Sequence, residues 1–531
     1  MKEEIIEGFG LSPQQKHLWL LQQFDHSPAY RTQCAIAIEG NLNTKVLKAA
    51  LGNVVNRHEI LRTTFRCLPE MTIPLQVISD SSLPSVHDYN LSGWEPQEQD
   101  ARVEALFYEA RRLTFDFEKG PLLCISLINL SPHKHILLVN LPAMSADTAA
   151  LKNLVREISR CYAASLHREE LSDQPMQYVD FSEWQNELLE AQNTEIGREY
   201  WRKQDLSALP TLKLPFENQS SGKPEFEPEF LTLTIKPDIA AKIEAFVRKY
   251  DTSTSVFLLA SWQILLWRLT GQANISICSA YDGRNYEELE EALGLFAKYL
   301  PIHCELQENL QFSEILAQVN KTTSFLYQWQ ECFSWEQSVG STDNFTVPSF
   351  FLFEFNFEEQ PAKYSVAEVT FSISKQYTCV ERFKIKLSCV QRNGSLLAEF
   401  HYDSRLFSIQ NIKRLTEQFH TLLESVIKNP AVAIDELGIL SDIERHQLLV
   451  EFNDTKCDYP KDKCIHQLFE EQAERTPGKI AIVFEEQQLT YAELNARANQ
   501  LARQMQELGV GPDVLVAICM ERSVEMIVGL L

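Results

Sequence analysis

From Asn43 to Val426 the chain alternates two apolar patterns, and this alternation restricts it to layered α/β architecture. Leu47, Leu51, Val54 and Val55 share one face of a helix that Asn43 or Thr44 can cap and that ends near Arg57. Ser408 opens a second such helix, with Ile412, Leu415, Phe419, Leu422 and Val426 turned inward. Between these helices lie short runs of strand type: Cys34 to Ile38, Ile136 to Leu141, Ile275 to Cys278 and Phe350 to Phe355.

A chain of 531 residues is too long for one compact core, and 44% hydrophobic with 23% charged residues is a globular balance. A net charge of −24 repels polyphosphate, so neither nucleic acid nor an anionic membrane surface is an expected partner. The start, Met1 to Glu7, has acids where a secretory leader needs a basic segment, so a cytoplasmic protein is expected. The most apolar stretch, Ser255 to Leu269, is interrupted by Gln263 and Arg268 and is too short to span a bilayer; it reads as a buried helix. Twelve cysteines without a CxxC pair suggest reduced core thiols, with no metal site and no disulfide framework.

A polar, proline-marked segment, Gln174 to Gln185, reads as a divider between two lobes, and Asn453 to Lys463 as a linker. Four motifs fall in order along the chain. They are Leu11 to Trp19 (LSPQQKHLW), Asn56 to Phe65 (NRHEILRTTF), Tyr178 to Gln185 (YVDFSEWQ), and Gly283-Arg284 followed by Leu293 to Phe296 (LGLF). Together they resemble the first, second, fourth and fifth motifs of nonribosomal peptide synthetase condensation domains. Taken singly, Trp19, Phe65 and Phe181 read as core aromatics and Arg57 with Glu59 as a local ion pair.

The resemblance implies two chloramphenicol-acetyltransferase-like lobes in a V-shaped condensation fold. The expected division is 1–175 for the N-lobe, 176–452 for the C-lobe, 453–463 for the linker, and 464–531 for a truncated adenylation segment. The family's third motif, HHxxxDG, carries a histidine that assists attack of an amine on a thioester, work suited to a neutral imidazole. The aligned residues here are Pro142, Ala143, Met144, Ser145, Ala146, Asp147 and Thr148, so both histidines are absent and Asp147 is retained. Pro142 in the first histidine's place also disfavours a thiazoline-forming cyclisation domain.

Asp147 has two readings: the family's loop-holding aspartate with a charged partner, or a helix N-cap before Thr148 to Leu151, which is favoured. His135 lies seven residues before Pro142 on an extended run, roughly 20 Å away, and cannot substitute for the lost imidazole. The family arginine thought to pair with the aspartate is replaced by His303, and a family asparagine by Lys298. The resemblance thus implies an altered pair, Asp147 with His303 or Lys298, beside the alternative that His303 is a satisfied strand residue. Met144, Ser145 and Lys298 are the candidate tunnel residues; Pro142, Ala143 and Thr148 mark the altered motif, and no residue is assigned as general base. Tyr327 to Phe333 departs from the family's HQDxPFE, whereas Pro348 to Asn356 keeps the strand that follows.

Ile465 to Gln472, Leu489 to Asn495 and Val516 to Ser523 resemble the entry of an adenylation domain, and no glycine-rich phosphate loop follows before Leu531. The resemblance implies no cofactor bound in this chain. It implies phosphopantetheine thioester substrates on separate donor and acceptor peptidyl carrier domains, with the remainder of an adenylation domain as a further partner. Two functions follow: transfer of a carrier-bound acyl group to a downstream amino or hydroxy acid, or a noncatalytic interface that docks carriers or recruits a tailoring enzyme.

Overall fold

The computed structural model describes residues 7–80, 84–191, 194–204, 212–218, 226–335, 351–359, 363–392 and 394–531. The chain divides into two compact units, residues 1–443 and 444–531. Its first half runs α1 (Pro13–Asp25), β1 (Arg31–Gly40), α2 (Thr44–Arg57), β2 (Thr63–Arg66), β3 (Leu75–Ile78), β4 (Val86–Asn90), α3 (Pro96–Ala110), β5 (Cys124–Ser131), β6 (Lys134–Pro142), α4 (Thr148–His167), α5 (Tyr178–Glu190) and α6 (Glu195–Arg202). There follow β7 (Pro228–Ile235), α7 (Pro237–Lys249), α8 (Thr254–Thr270), β8 (Asn274–Tyr281), β9 (Lys298–Glu305), α9 (Phe312–Trp329), β10 (Phe353–Glu359), β11 (Tyr364–Val366), β12 (Val369–Thr378), β13 (Ile385–Arg392), β14 (Ser395–Asp403), α10 (Ile409–Lys428) and α11 (Asp442–Leu449).

Two six-stranded sheets organise the first unit. One has the order β11-β12-β1-β6-β5-β4 and the other β7-β14-β13-β10-β8-β9. Strand β12 comes from the second half of the chain yet completes the first sheet, pairing antiparallel with β1 from Thr32 opposite Thr378 to Gly40 opposite Val369. Helices α2 and α4 pack on each other, and α4 covers β1, β11 and β12. On the second sheet, α8 packs against β8, α9 against β9, and α7 and α10 against β14. The apolar positions read from spacing are the ones that enter the core: Leu47, Leu51, Val54 and Val55 of α2, and Ile412, Leu415, Phe419, Leu422 and Val426 of α10, are all buried. Asn43 and Ser408 accept from backbone N–H groups of the first turns as N-caps.

Helix α8 is buried on all sides, Gln263 included, because other helices and the sheet enclose it. Among the described residues no helix is long and apolar enough to cross a membrane. The strand expected at Phe350 begins at Phe353; Pro348 to Phe350 lie outside the described residues, as do Met1 to Ile6. Seven cysteines are buried, but Cys457, Cys464 and Cys519 are exposed, so the thiols are not all core residues.

Within Gln174 to Gln185 the chain is helical from Tyr178: α5 buries Tyr178, Phe181, Ser182 and Gln185, and packs on α1 and on the turn at 330–332. One local expectation needs correction. Arg57 does not pair with Glu59. Its Nε donates to Glu157 of α4 at 2.7 Å and its Nη2 to Asp173 at 3.2 Å, while Glu59 pairs with Arg62. Of the three aromatics, Phe65 and Phe181 are buried, and Trp19 is half-buried with its indole N–H on the Thr72 carbonyl.

In the second unit α12 (Ile465–Arg475), the hairpin β15 (Ile480–Phe484) and β16 (Gln487–Thr490), α13 (Tyr491–Glu507) and α14 (Val524–Leu530) surround a small core of Leu489, Leu494 and Val524. Residues 454–463 are exposed and form neither helix nor strand.

Candidate functional site

Strand β6 ends at Pro142, and a single 3-10 turn, Ala143–Ser145, leads to Asp147 at the N-cap of α4. Each part of this loop is held by a different element. The Ala143 N–H donates to the Tyr30 carbonyl, Gln15 Nε2 of α1 donates to the Met144 carbonyl at 2.9 Å, and Thr32 Oγ1 of β1 donates to the Ala146 carbonyl at 2.7 Å. With its backbone groups bound on three sides, the loop has one conformation to occupy.

Asp147 is the centre of the arrangement. Its Oδ1 accepts from the Ala150 N–H at 2.7 Å and from Arg284 Nη2 at 3.1 Å; its Oδ2 accepts from Arg284 Nη1 at 3.1 Å and from the Phe296 and Ala297 N–H groups at 2.8 Å each. The cap and the ion pair are therefore the same residue doing both tasks. Side-chain exposure is 1% for Asp147 and 2% for Arg284, so both charges are out of water and every lone pair needs a donor. Burial disfavours the Arg284 charge, but Asp147 and Asp282 outweigh it and hold its pKa above the usual arginine value. The guanidinium also lies 4.3 Å from the Phe296 ring centroid.

Glycine is required at two points of this contact. A Cβ on Gly294, whose φ is +151°, would lie 2.0 Å from Tyr178 Cδ2; one on Gly283, at φ +73°, would lie 2.0 Å from the Phe296 carbonyl oxygen. Gly294 lends its carbonyl to the Asp147 N–H, and Tyr178 OH donates to the Leu295 carbonyl at 2.7 Å. The motifs at 178–185, 283–284 and 293–296 thus meet at the loop 142–148.

The pairing expected of Asp147 with His303 or Lys298 is not the one formed. His303 is exposed on the edge strand β9, where its Nδ1 meets Ser276 Oγ of β8 at 2.9 Å. Lys298 is buried and its ammonium is bound to Glu331; burial lowers its pKa and Glu331 opposes the shift. Arg284, sequence-adjacent to the glycine of its motif, takes the role that the resemblance assigned to position 303. The only signal for it was its place in that motif. Ala143, Met144 and Ser145 are fully buried, and no described group hydrogen-bonds Ser145 Oγ.

Two cavities lie in this unit, and of the loop residues only Thr148 lines one of them. The first is lined by Pro13, Gln14 and His17 of α1, by Leu295 to Tyr299 save Phe296, by Phe333 to Trp335, and by Val380 and Glu381. In it His17 Nε2 lies 3.0 Å from Glu381 Oε2, with the imidazole stacked on Trp335. The second begins at Thr148 and runs between β12 and the faces of β10, β13 and β14, where Lys386, Glu399 and His401 line it. Of the expected tunnel residues, Lys298 lines the first cavity; Met144 and Ser145 line neither. Among the described residues no cluster of three or more His, Cys, Asp or Glu could hold a metal ion.

The family model for the Condensation domain matches residues 7–449. The chain belongs to the condensation-domain family. A second model, AMP-binding enzyme, matches residues 469–531. The condensation domain here is of the nonribosomal peptide synthetase kind. A linear gramicidin synthase polypeptide of Brevibacillus parabrevis is 33% identical over 536 residues, 98% of this chain and 7% of that protein. Bacitracin synthase 3 of Bacillus licheniformis is 30% identical over 541 residues, 100% of this chain and 8% of that protein. The condensation-domain chain therefore spans less than a tenth of the length of these relatives. Among solved structures, the first condensation domain of the CDA synthetase matches with TM-score 0.66 at 17% identity, over 82% of this chain and 99% of that one. A four-domain nonribosomal peptide synthetase bound to AMP and glycine matches with TM-score 0.74 at 16% identity, over 96% of this chain and 39% of that one. These structures share the two-lobed mixed α/β fold.

Proposed function

We propose that this condensation domain transfers an acyl group from one carrier-bound phosphopantetheine thioester to the amine or hydroxyl of a second, using an altered form of the family's third motif. The observation that carries the reading is the Asp147–Arg284 lock, which fixes the loop 142–148 against Arg284 and the backbone of Phe296 and Ala297. A loop so fixed supports catalysis by positioning, which can replace a large part of the barrier by aligning two bound reactants. Absence of the general base typically costs about 10² to 10⁴ in rate, so slow transfer is expected. The two substrates arrive on donor and acceptor peptidyl carrier domains, and no cofactor stays bound in the chain.

A second reading has its own support. Residues 142–148 carry no histidine, and Ala143 and Met144 are sealed in the core rather than open to either cavity. This favours a domain that docks carriers or recruits a tailoring enzyme without chemistry. Single-turnover transfer between two loaded carriers separates the two. A product that accumulates only when the domain is present supports transfer, and its absence while carriers still bind supports docking.

The division at 175/176, 452/453 and 463/464 is likewise proposed. Support for the last two comes from the exposed segment 454–463 and from the ends of the two family matches at 449 and 469. A cytoplasmic setting is also proposed, on twelve cysteines scattered without the spacing of a disulfide framework.

A further inference from the structure

Lys386 on β13 and His401 on β14 stand directly opposite each other across an antiparallel pair, both buried, and both line the cavity that begins at Thr148. Their partners differ. His401 Nε2 is bound to Glu399 Oε2 at 3.2 Å, whereas the Lys386 ammonium has no hydrogen bond and no carboxylate within ion-pair distance among the described residues. Burial holds His401 below the usual imidazole range, against the pull of Glu399, so it does not compete as a second cation near neutral pH.

The acids near Lys386 are otherwise engaged. Glu399 is committed to His401. Glu358 accepts from Asn356 Nδ2 at 2.7 Å and from Gln376 Nε2 at 2.6 Å. Glu354 is buried and its carboxyl is pushed up to about 8, so it is protonated at neutral pH. Lys386 is only 4% exposed and its ammonium reaches solvent without a paired anion; an unpaired charge so withdrawn from water is costly, and an anion brought into the cavity would pair it. Two further donors on the same cavity are also unsatisfied among the described residues: Arg392 Nε and Thr378 Oγ1 are buried without a partner. A pocket whose described residues offer a free cation and spare N–H and O–H groups asks for an acceptor that brings its own negative charge.

We propose that this cavity takes the carboxylate side chain of a carrier-borne acyl or aminoacyl group, with Lys386 as its counter-ion. The inference rests on the carrier-borne substrate reading above but not on whether the domain completes the transfer. A charge-assisted bond from Lys386, supplemented by Arg392 and Thr378, would discriminate carboxylate from the isosteric amide, which leaves the ammonium unpaired.

The test is calorimetric titration of the whole chain with glutamyl, glutaminyl and alanyl conjugates of pantetheine, joined by an amide in place of the thioester, and with free glutamate. On the wild type the glutamyl conjugate is expected to bind at least tenfold tighter than the glutaminyl one. Lys386→Met should abolish that preference and Lys386→Arg should keep most of it. Lys386→Met should also leave the melting temperature of the free protein unchanged or raise it, since it removes an unpaired buried charge; a lysine that merely braced the sheet would do the opposite. Equal binding of glutamyl and glutaminyl conjugates, or a preference that survives Lys386→Met, overturns the inference and leaves the carrier reading intact. Lys386-dependent binding of free glutamate with no binding of any conjugate overturns the carrier-borne source, and binding of nothing overturns both.

Discussion

The Arg284 guanidinium grips both carboxylate oxygens of Asp147 at 3.1 Å, joining the cap of α4 to a loop that lies 137 residues further along the chain. A buried pair of this kind adds little over an apolar replacement but is expensive to break from one side.

Asp147→Asn should therefore cost about 3–5 kcal/mol of unfolding free energy, since it strands the Arg284 charge and weakens the bonds from Phe296 and Ala297. Denaturant unfolding followed by tryptophan fluorescence measures it. A loss under about 1 kcal/mol, the size of a surface pair, would show that the lock does not hold the loop.

At Gly294 the expectation is steric. Gly294→Ala places a methyl 2.0 Å from Tyr178 Cδ2 and should lower the melting temperature sharply, whereas Gly478→Ala, where the added Cβ meets nothing, should not. Two comparable melting temperatures would show that α5 can retreat from the loop at no cost.

Glu157 governs the acid limb of stability. Burial alone would raise its carboxyl, but His58 and Arg57 overcome this and pull it down to about 2. The unfolded chain then binds more protons than the folded one between about 4.5 and 2, so stability falls as pH drops through that window. Glu157→Gln should remove about 1–2 kcal/mol at pH 7 and little at pH 2, flattening the acid limb in pH-dependent unfolding.

The alkaline side is set by Glu354. Burial first, and Glu381 second, push its carboxyl up to about 8 against the influence of Lys386. Here the folded protein holds the extra proton, so the stabilising difference is complete below about 4.5 and is lost as pH rises through about 8. Glu354→Gln should be more stable than wild type at pH 9 by over ~1 kcal/mol and should show a shallower decline between pH 6 and 9. Parallel pH profiles for the two proteins would refute this.

Limited trypsin digestion should cut first between Asn453 and Lys463, where Lys456, Lys461 and Lys463 are exposed and the backbone forms neither helix nor strand. Gel bands that show earlier cleavage within 7–443 would contradict the expectation.

The helices α2, α8 and α10 were legible because their caps and apolar faces are local, repeating within one or two turns. Asp147 as a cap was legible for the same reason. Its ionic partner was not, because sequence spacing does not reveal which cation a fold carries across 137 positions. His303 misled because a one-residue step along β9 decides between cavity and solvent: Lys298 faces inward and His303 outward. Arg57 misled similarly, since Glu59 is near in sequence and Glu157 is near in space. The opposition of Lys386 and His401 depends on the β13–β14 register, which no motif announced.

Strand β12 has a consequence for synthesis on the ribosome. The first sheet begins with residues 31–40 and is finished only by residues 369–378, so its inner strand β1 must wait with one edge unpaired while more than half of the chain is translated. The first lobe therefore cannot mature before the second is largely made, and a gene fusion that joins the front half of one such domain to nothing leaves a nascent chain with an open edge for its neighbours to pair with.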